Sequence, residues 1–201
     1  MTDGESTTDA VETAIERIED GGLAVYPTET VYGLGADGLD PAAVEAVFEA
    51  KQRDRSKPVS LAVASVEDIS SYARLTDDAL AFCEQFLPGP VTVVLPRRSV
   101  VPDVLVAGAE RVGVRVPDHD IARRLIRGAG PLTATSANRS GQPSARQVDS
   151  IDETIRDRAA VVDGGETPGG ESTVVDPGRG EIIRPGLLAD EIEAWLDATR
   201  R

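Results

Sequence analysis

Short apolar runs alternate with amphipathic stretches along nearly the whole chain, and this alternation constrains the fold more than any other feature. Residues 23–26, 59–64, 91–95 and 112–116 are dominated by Val, Leu, Ala and Tyr, the pattern of strands covered on both faces. Between them, residues 9–20 carry Val11, Ala14, Ile15 and Ile18 at helical spacing and stop at Gly21-Gly22. Asp40 is a good N-cap before Pro41, and Val44, Val47 and Phe48 form the next apolar face. Residues 76–87 form a helix with Leu80, Cys83 and Leu87 inward, ended by Pro88-Gly89-Pro90. Ile121, Leu125 and Ile126 mark a helix that Gly128 ends. The last third reads as a strand at 132–135, a helix at 151–158, a strand at 160–163, strands at 172–176 and 181–184 around Pro177-Gly178, and a helix at 190–199 with Ile192, Trp195 and Leu196 inward. The expected fold is one α/β domain over residues 1–201: a twisted mixed or mostly parallel sheet with helices on both faces.

Composition removes several chemistries. Aromatic residues make up 3%, so the core is aliphatic. One Cys and one His exclude a disulfide scaffold and a Cys/His zinc site. A Ser-His-Asp or Cys-His set could use only His119, which reads as structural, and Cys83 reads as a buried, inert thiol. Residues 1–9 are polar and acidic, unlike a signal peptide, and no run approaches the roughly 20 apolar residues of a membrane helix. The expectation is a cytoplasmic protein with no membrane partner. A net charge of −14 argues against gripping nucleic acid with the whole surface.

Four loops next to strand ends could carry chemistry, since ligands of open α/β sheets gather there. Residues 26–35 place Thr28, Glu29 and Thr30 directly after a strand. Gly33, Gly35 and Gly38 match G-x-G-x-x-G, but the motif does not open a helix straight after a strand, so a dinucleotide site is rejected. These glycines read instead as a turn before the Asp40 helix. Lys51, Arg53, Arg55 and Lys57 are four cations within seven residues of a chain holding 21. They read either as a helix C-terminus offset or as a phosphate clamp. Residues 133–141 supply small hydroxyls and Asn138, and residues 164–173 form a glycine-rich loop that is a lid or a surface loop. Arg184 ends a strand in the same region. No phosphate-binding G-x-x-x-x-G-K-[ST] loop and no kinase signature is present.

Taken together, these segments resemble the YrdC-like threonylcarbamoyl-adenylate synthases from about Leu23 to Gly186. The markers are residues 26–35, Lys51-x-Arg53 with Lys57-Pro58, residues 87–92 and 114–119, Ser136-Ala-Asn138 with Ser140-Gly141, residues 172–176, and residues 183–186. The resemblance implies that L-threonine, bicarbonate and ATP become threonylcarbamoyl-adenylate and pyrophosphate, with Mg²⁺ accompanying the nucleotide. It implies catalytic roles for Lys51 and Arg53, and ATP binding by Lys51, Arg53, Lys57, Asn138, Arg146 and Arg184. It implies threonine binding by Thr30, Arg115, Ser136 and Ser172; the bland alternative for Arg115 is an ion pair with Asp118 or Asp120. It further implies a transient hand-over to a tRNA threonylcarbamoyl-transferase complex, with weak or no direct tRNA binding. Larger members carry a second domain after a linker, whereas here residues 187–201 are expected to form only a C-terminal helix. They also often carry a His where this chain has Ala62. The competing expectation is a non-catalytic RNA-binding module that uses the same cations.

Overall fold

The apolar runs become strands whose spatial order differs from their order in sequence. In the computed structural model, which describes residues 3–199, nine strands build one sheet. They are β1 (Leu23–Tyr26), β2 (Gly33–Gly35), β3 (Ser60–Ala62), β4 (Val91–Pro96), β5 (Arg111–Arg115), β6 (Leu132–Ser136), β7 (Ala159–Val161), β8 (Thr173–Asp176) and β9 (Glu181–Arg184). Their order is β7-β1-β2-β6-β3-β5-β4-β8-β9. The junctions β1–β7, β3–β5 and β4–β8 are parallel, and the other five are antiparallel. The sheet is therefore mixed, with parallel pairing in the minority. Residues 1–2 and 200–201 of the expected domain lie outside the described residues.

The helices are α1 (Asp3–Glu19), α2 (Pro41–Lys51), α3 (Ile69–Tyr72), α4 (Asp77–Phe86), α5 (Asp120–Ala129), α6 (Glu153–Arg156) and α7 (Ala189–Thr199), with a 3₁₀ turn at Val148–Ser150. The Asp40 cap acts as expected, its carboxylate accepting from the Ala42 N–H at 2.9 Å, and Thr76, expected as the first helical residue, instead caps α4, its hydroxyl accepting from the Ala79 N–H at 3.3 Å. Among the boundaries that differ from expectation, the expected strand at 59–64 contracts to β3 and three helix boundaries shift. The α1 helix begins at Asp3, ahead of its apolar face, because polar residues extend a helix without leaving a periodic signal. The expected helix at 151–158 contracts to α6, whose cap is the Asp152 carboxylate. The α5 helix runs through Gly128 to Ala129 and is ended by Gly130, which adopts φ +87°. Gly128 is there for packing: a Cβ at that position would collide with Ile15 of α1. On α4 the inward face is Ala79, Phe82 and Cys83, while Leu80 is 37% exposed. Phe82 sets that rotation by packing edge-on against Trp195 of α7 at 5.2 Å between ring centroids.

The period of two along each strand divides the core. On β1, Leu23 and Val25 pack under α2 and α6, while Ala24 and Tyr26 pack with α1 and α5, so helices cover both faces there. On the other half of the sheet, Leu61, Val93, Val112, Val114 and Val175 pack against α3, α4 and α7. Their alternate neighbours Ser60, Thr92, Val94, Arg111, Gly113, Arg115 and Val174 turn to the opposite side and floor a cavity.

Candidate active site

The cavity holds about 470 Å³ and is built on that second sheet face. Since β5 alternates, Arg111 and Arg115 project to the same side, with Gly113 between them. Arg115 Nη2 donates to Glu29 Oε1 at 2.8 Å and to Thr30 Oγ1 at 2.9 Å. The expected alternative pairing with Asp118 or Asp120 is absent among the described residues; Arg123 lies 3.7 Å and 3.0 Å from those carboxylates. Arg111 Nη2 donates to the Val94 carbonyl at 2.9 Å and lies 2.7 Å from Asp176 Oδ1.

Residues 27–32 form a tight turn between β1 and β2. The Thr28 hydroxyl donates to the Val31 carbonyl at 2.6 Å and accepts from the Thr30 and Val31 N–H groups. Gly33 and Gly35 lie in β2, paired with β1, which corrects their expected place in a turn before α2. They are small because the Tyr26 ring lies on them: a Cβ at Gly35 would stand 2.9 Å from that ring. Burial raises the Tyr26 phenol to about 12, with Arg115 opposing and Glu29 adding.

The four-cation segment does not converge. Gln52 ends α2 in the left-handed region (φ 49°), and this turn sends its neighbours apart. Lys51 is 1% exposed, and its Nζ donates to the carbonyls of Ser136 and, at 2.6 Å, Asn138. It props the 136–140 segment from beneath and lines neither of the two cavities around that segment. Burial, then the neighbouring Arg53 charge, pushes the Lys51 ammonium down to about 8. Arg53 lines the cavity, donating to the carbonyls of Lys57 and Pro58 at 2.9 Å each. Burial, then the Arg184 charge, holds the Arg53 guanidinium below its usual range. Arg55 turns outward to Glu45 at 2.7 Å, and Lys57 is exposed away from the cavity.

Ser136, Ser172 and Arg184 complete the cavity wall. Arg184 Nη2 donates to the Ser172 carbonyl at 2.8 Å and to its hydroxyl at 3.1 Å, and that hydroxyl lies 3.3 Å from Thr92 Oγ1. Asn138 and Arg146 line a second, adjoining cavity of about 770 Å³, which shares Ser144 with the first. The Asn138 amide donates to the carbonyls of Arg139 and Gln142, while its Oδ1 is buried with no partner among the described residues. Arg146 pairs with Glu166 at 2.8 Å. The 164–170 loop is tied at three points: Gly165 O to the Tyr32 hydroxyl, Thr167 N to Arg146 O, and Gly169 N to Thr30 O.

Thr30, Arg53, Arg115, Ser136, Ser172 and Arg184 thus meet in one space, with Asn138 and Arg146 next door, Lys51 behind and Lys57 outside. Sequence reasoning missed Arg111 and Thr92. The signal for Arg111 was present, because four residues along a strand return a side chain to the same face as Arg115. His119 caps no helix N–H, and burial lowers its pKa against the opposing charges of Glu29, Asp120 and Asp118. Burial drives the Cys83 thiol up to about 12, away from thiolate chemistry.

The fold and this cation-lined sheet face define a class, and the comparisons agree on it. The chain belongs to the Sua5/YciO/YrdC family, whose model, described as "Telomere recombination", matches residues 16–186. The chain is 43% identical over 190 residues to the threonylcarbamoyl-AMP synthase of Pyrococcus abyssi, covering 91% of this chain and 56% of that protein. It is 38% identical to the threonylcarbamoyl-AMP synthase of Bacillus subtilis, covering 98% of this chain and 59% of that one. It therefore spans little more than half the length of these two relatives. Among solved structures, P. abyssi Sua5 complexed with L-threonine superposes with a TM-score of 0.80 at 40% identity, covering 88% of this chain and 54% of that one. E. coli YciO superposes with a TM-score of 0.73 at 26% identity, covering 88% and 89%.

Proposed function

We propose that the chain makes threonylcarbamoyl-adenylate and pyrophosphate from L-threonine, bicarbonate and ATP. One observation carries this reading. A protein of net charge −14 turns Arg53, Arg111, Arg115 and Arg184 into a single cavity, among the hydroxyls of Thr30, Thr92, Ser136 and Ser172. Such a cavity suits a polyanion and a small zwitterion held side by side. The relative solved with L-threonine supports the identity of the zwitterion.

The chemistry follows from positioning. The threonine amine adds to the bicarbonate carbon, and loss of water leaves a carbamate. A carbamate oxygen then attacks the α-phosphorus, the Pα–O bond to the β-phosphate breaks, and pyrophosphate departs. No side-chain nucleophile is required, so catalysis rests on orientation and on neutralising phosphate charge. Arg115 and Thr30 hold the amino-acid end, and Ser136 and Ser172 contribute hydroxyls to it. Arg53, Arg111 and Arg184 hold the triphosphate, with the adenosine reaching past Ser144 toward Asn138 and Arg146. Lys51 acts from beneath by fixing the backbone of Ser136 and Asn138. Lys57 contributes its backbone carbonyl, which accepts from Arg53 Nε at 2.9 Å, while its ammonium stays outside the cavity.

Among the described residues no group of three metal-ligating side chains gathers, and Glu171 is the one carboxylate on the cavity lining. This donor set does not form a protein cage for Mg²⁺, so the cation would travel on the phosphates. No helix among the described residues is long and apolar enough to cross a membrane. A cytoplasmic setting and a hand-over of the reactive adenylate to a tRNA-modifying complex complete the proposal. The test is pyrophosphate release from ATP with threonine or bicarbonate omitted. Release that persists without either would overturn it.

A further inference from the structure

The two cavity-facing arginines of β5 are each held by a carboxylate that does not itself line the cavity. Glu29 Oε1, in the turn after β1, lies 2.8 Å from Arg115 Nη2. Asp176 Oδ1, at the end of β8, lies 2.7 Å from Arg111 Nη2. Both carboxylates are sheltered, with side chains 13% and 1% exposed. Both guanidiniums keep a buried Nε that has no acceptor among the described residues. Each arginine is thus fixed at Nη2 by a carboxylate outside the cavity while the residue itself lines the cavity.

The two braces stand at opposite ends of one substrate space. Arg111 and Arg115 are about 13 Å apart along the strand, at roughly 3.3 Å per residue. Arg115 shares its end with Thr30. The β3–β5 register carries Pro58, whose carbonyl Arg53 holds, toward the level of Arg111. An unbraced arginine would have to surrender side-chain freedom on binding, and four guanidiniums in one cavity would repel one another. A sheltered carboxylate removes both costs before substrate arrives.

We propose that Glu29 and Asp176 are positioning residues, Glu29 presetting Arg115 for the amino-acid carboxylate and Asp176 presetting Arg111 for the triphosphate. This rests on the synthase reading above. The experiment compares Glu29→Gln and Asp176→Asn with the unaltered protein in steady-state pyrophosphate release, varying threonine and ATP separately. Losing one charge-assisted brace is expected to raise the relevant KM about tenfold. Glu29→Gln raises KM for threonine and leaves KM for ATP within about twofold, and Asp176→Asn does the reverse. In the double variants Arg115→Met/Glu29→Gln and Arg111→Met/Asp176→Asn, the carboxylate change adds nothing further to the KM affected, because each brace reaches the substrate only through its arginine; the other partner of Asp176, Arg179, lies outside the cavity lining. Asp176→Glu, which keeps the charge but displaces it by one methylene, covers the case in which the amide variant fails to fold; it too raises KM for ATP alone. Equal rises in both KM values, a loss of kcat alone, or additivity in the double variants would overturn the inference. Pyrophosphate release by the unaltered protein that ignores threonine would instead overturn the synthase reading beneath it.

Discussion

Lys51→Met isolates what a buried ammonium contributes behind the site. The substitution keeps the length of the side chain and removes two donated hydrogen bonds, to the carbonyls of Ser136 and Asn138. Charge-assisted bonds contribute about 1.5–3 kcal/mol each, so about 3–6 kcal/mol is lost. Against this stands the cost of keeping the charge buried. A drop from 10.5 to about 8 corresponds to roughly 3 kcal/mol. The net loss is therefore about 2 kcal/mol at neutral pH, or roughly 4–8 °C in Tm for a domain of this size. The pH dependence separates the two contributions. Between pH 8 and 10.5 the folded Lys51 releases its proton while the unfolded one keeps it, so the unfolded state binds more protons and stability rises with pH. The methionine variant lacks this rise, and every other titration is common to both proteins. The stability gap should widen by up to about 3 kcal/mol as the pH climbs through that window, measured by urea unfolding at each pH. A gap that stays constant from pH 7 to pH 10 would refute the argument that burial lowers the Lys51 pKa.

Other expectations are simpler. Arg115→Ala should cost about 2–4 kcal/mol of transition-state binding, read as a fall in kcat/KM for threonine. Gly35→Val should destabilise by about 1–3 kcal/mol in thermal unfolding, because the new side chain meets the Tyr26 ring. Phe82→Ala should cost about 3–5 kcal/mol, since it removes the ring that Phe86 and Trp195 both contact. Filter binding of tRNA should be weak and nearly independent of salt, since the cavity arginines face inward; tight, steeply salt-dependent binding would favour the RNA-binding alternative.

Much of the frame was legible in the sequence for local reasons. Asp40-Pro41 announces a helix start because capping depends only on nearby residues. The strand β1 was legible because four consecutive apolar residues need cover on both faces. The strand β2 was not: Gly-Leu-Gly has no period, and its extended form comes from pairing with β1 across the 27–32 turn and with β6, distant in sequence. Gly128 looked like a stop because a helix-ending glycine and a close-approach glycine are the same residue, and only the position of Ile15 decides between them. The site shows the same division. Thr30, Arg53, Arg115, Ser136, Ser172 and Arg184 converge because Arg115, Ser136 and Arg184 end strands, Thr30 and Ser172 lie in segments adjoining strands, and Arg53 lies in the α2–β3 connection over the same sheet face. Lys51 and Lys57 part company because one left-handed residue, Gln52, redirects the chain between them.

The account depends on one cavity joining an amino acid, a carbon from bicarbonate and a nucleotide. The direct measurement uses isotopically labelled bicarbonate with ATP and L-threonine, followed by separation of the nucleotide products. The account predicts label in a threonine-dependent adenylate, formed in equal amount to pyrophosphate. Consumption of ATP that leaves every nucleotide product unlabelled would contradict it.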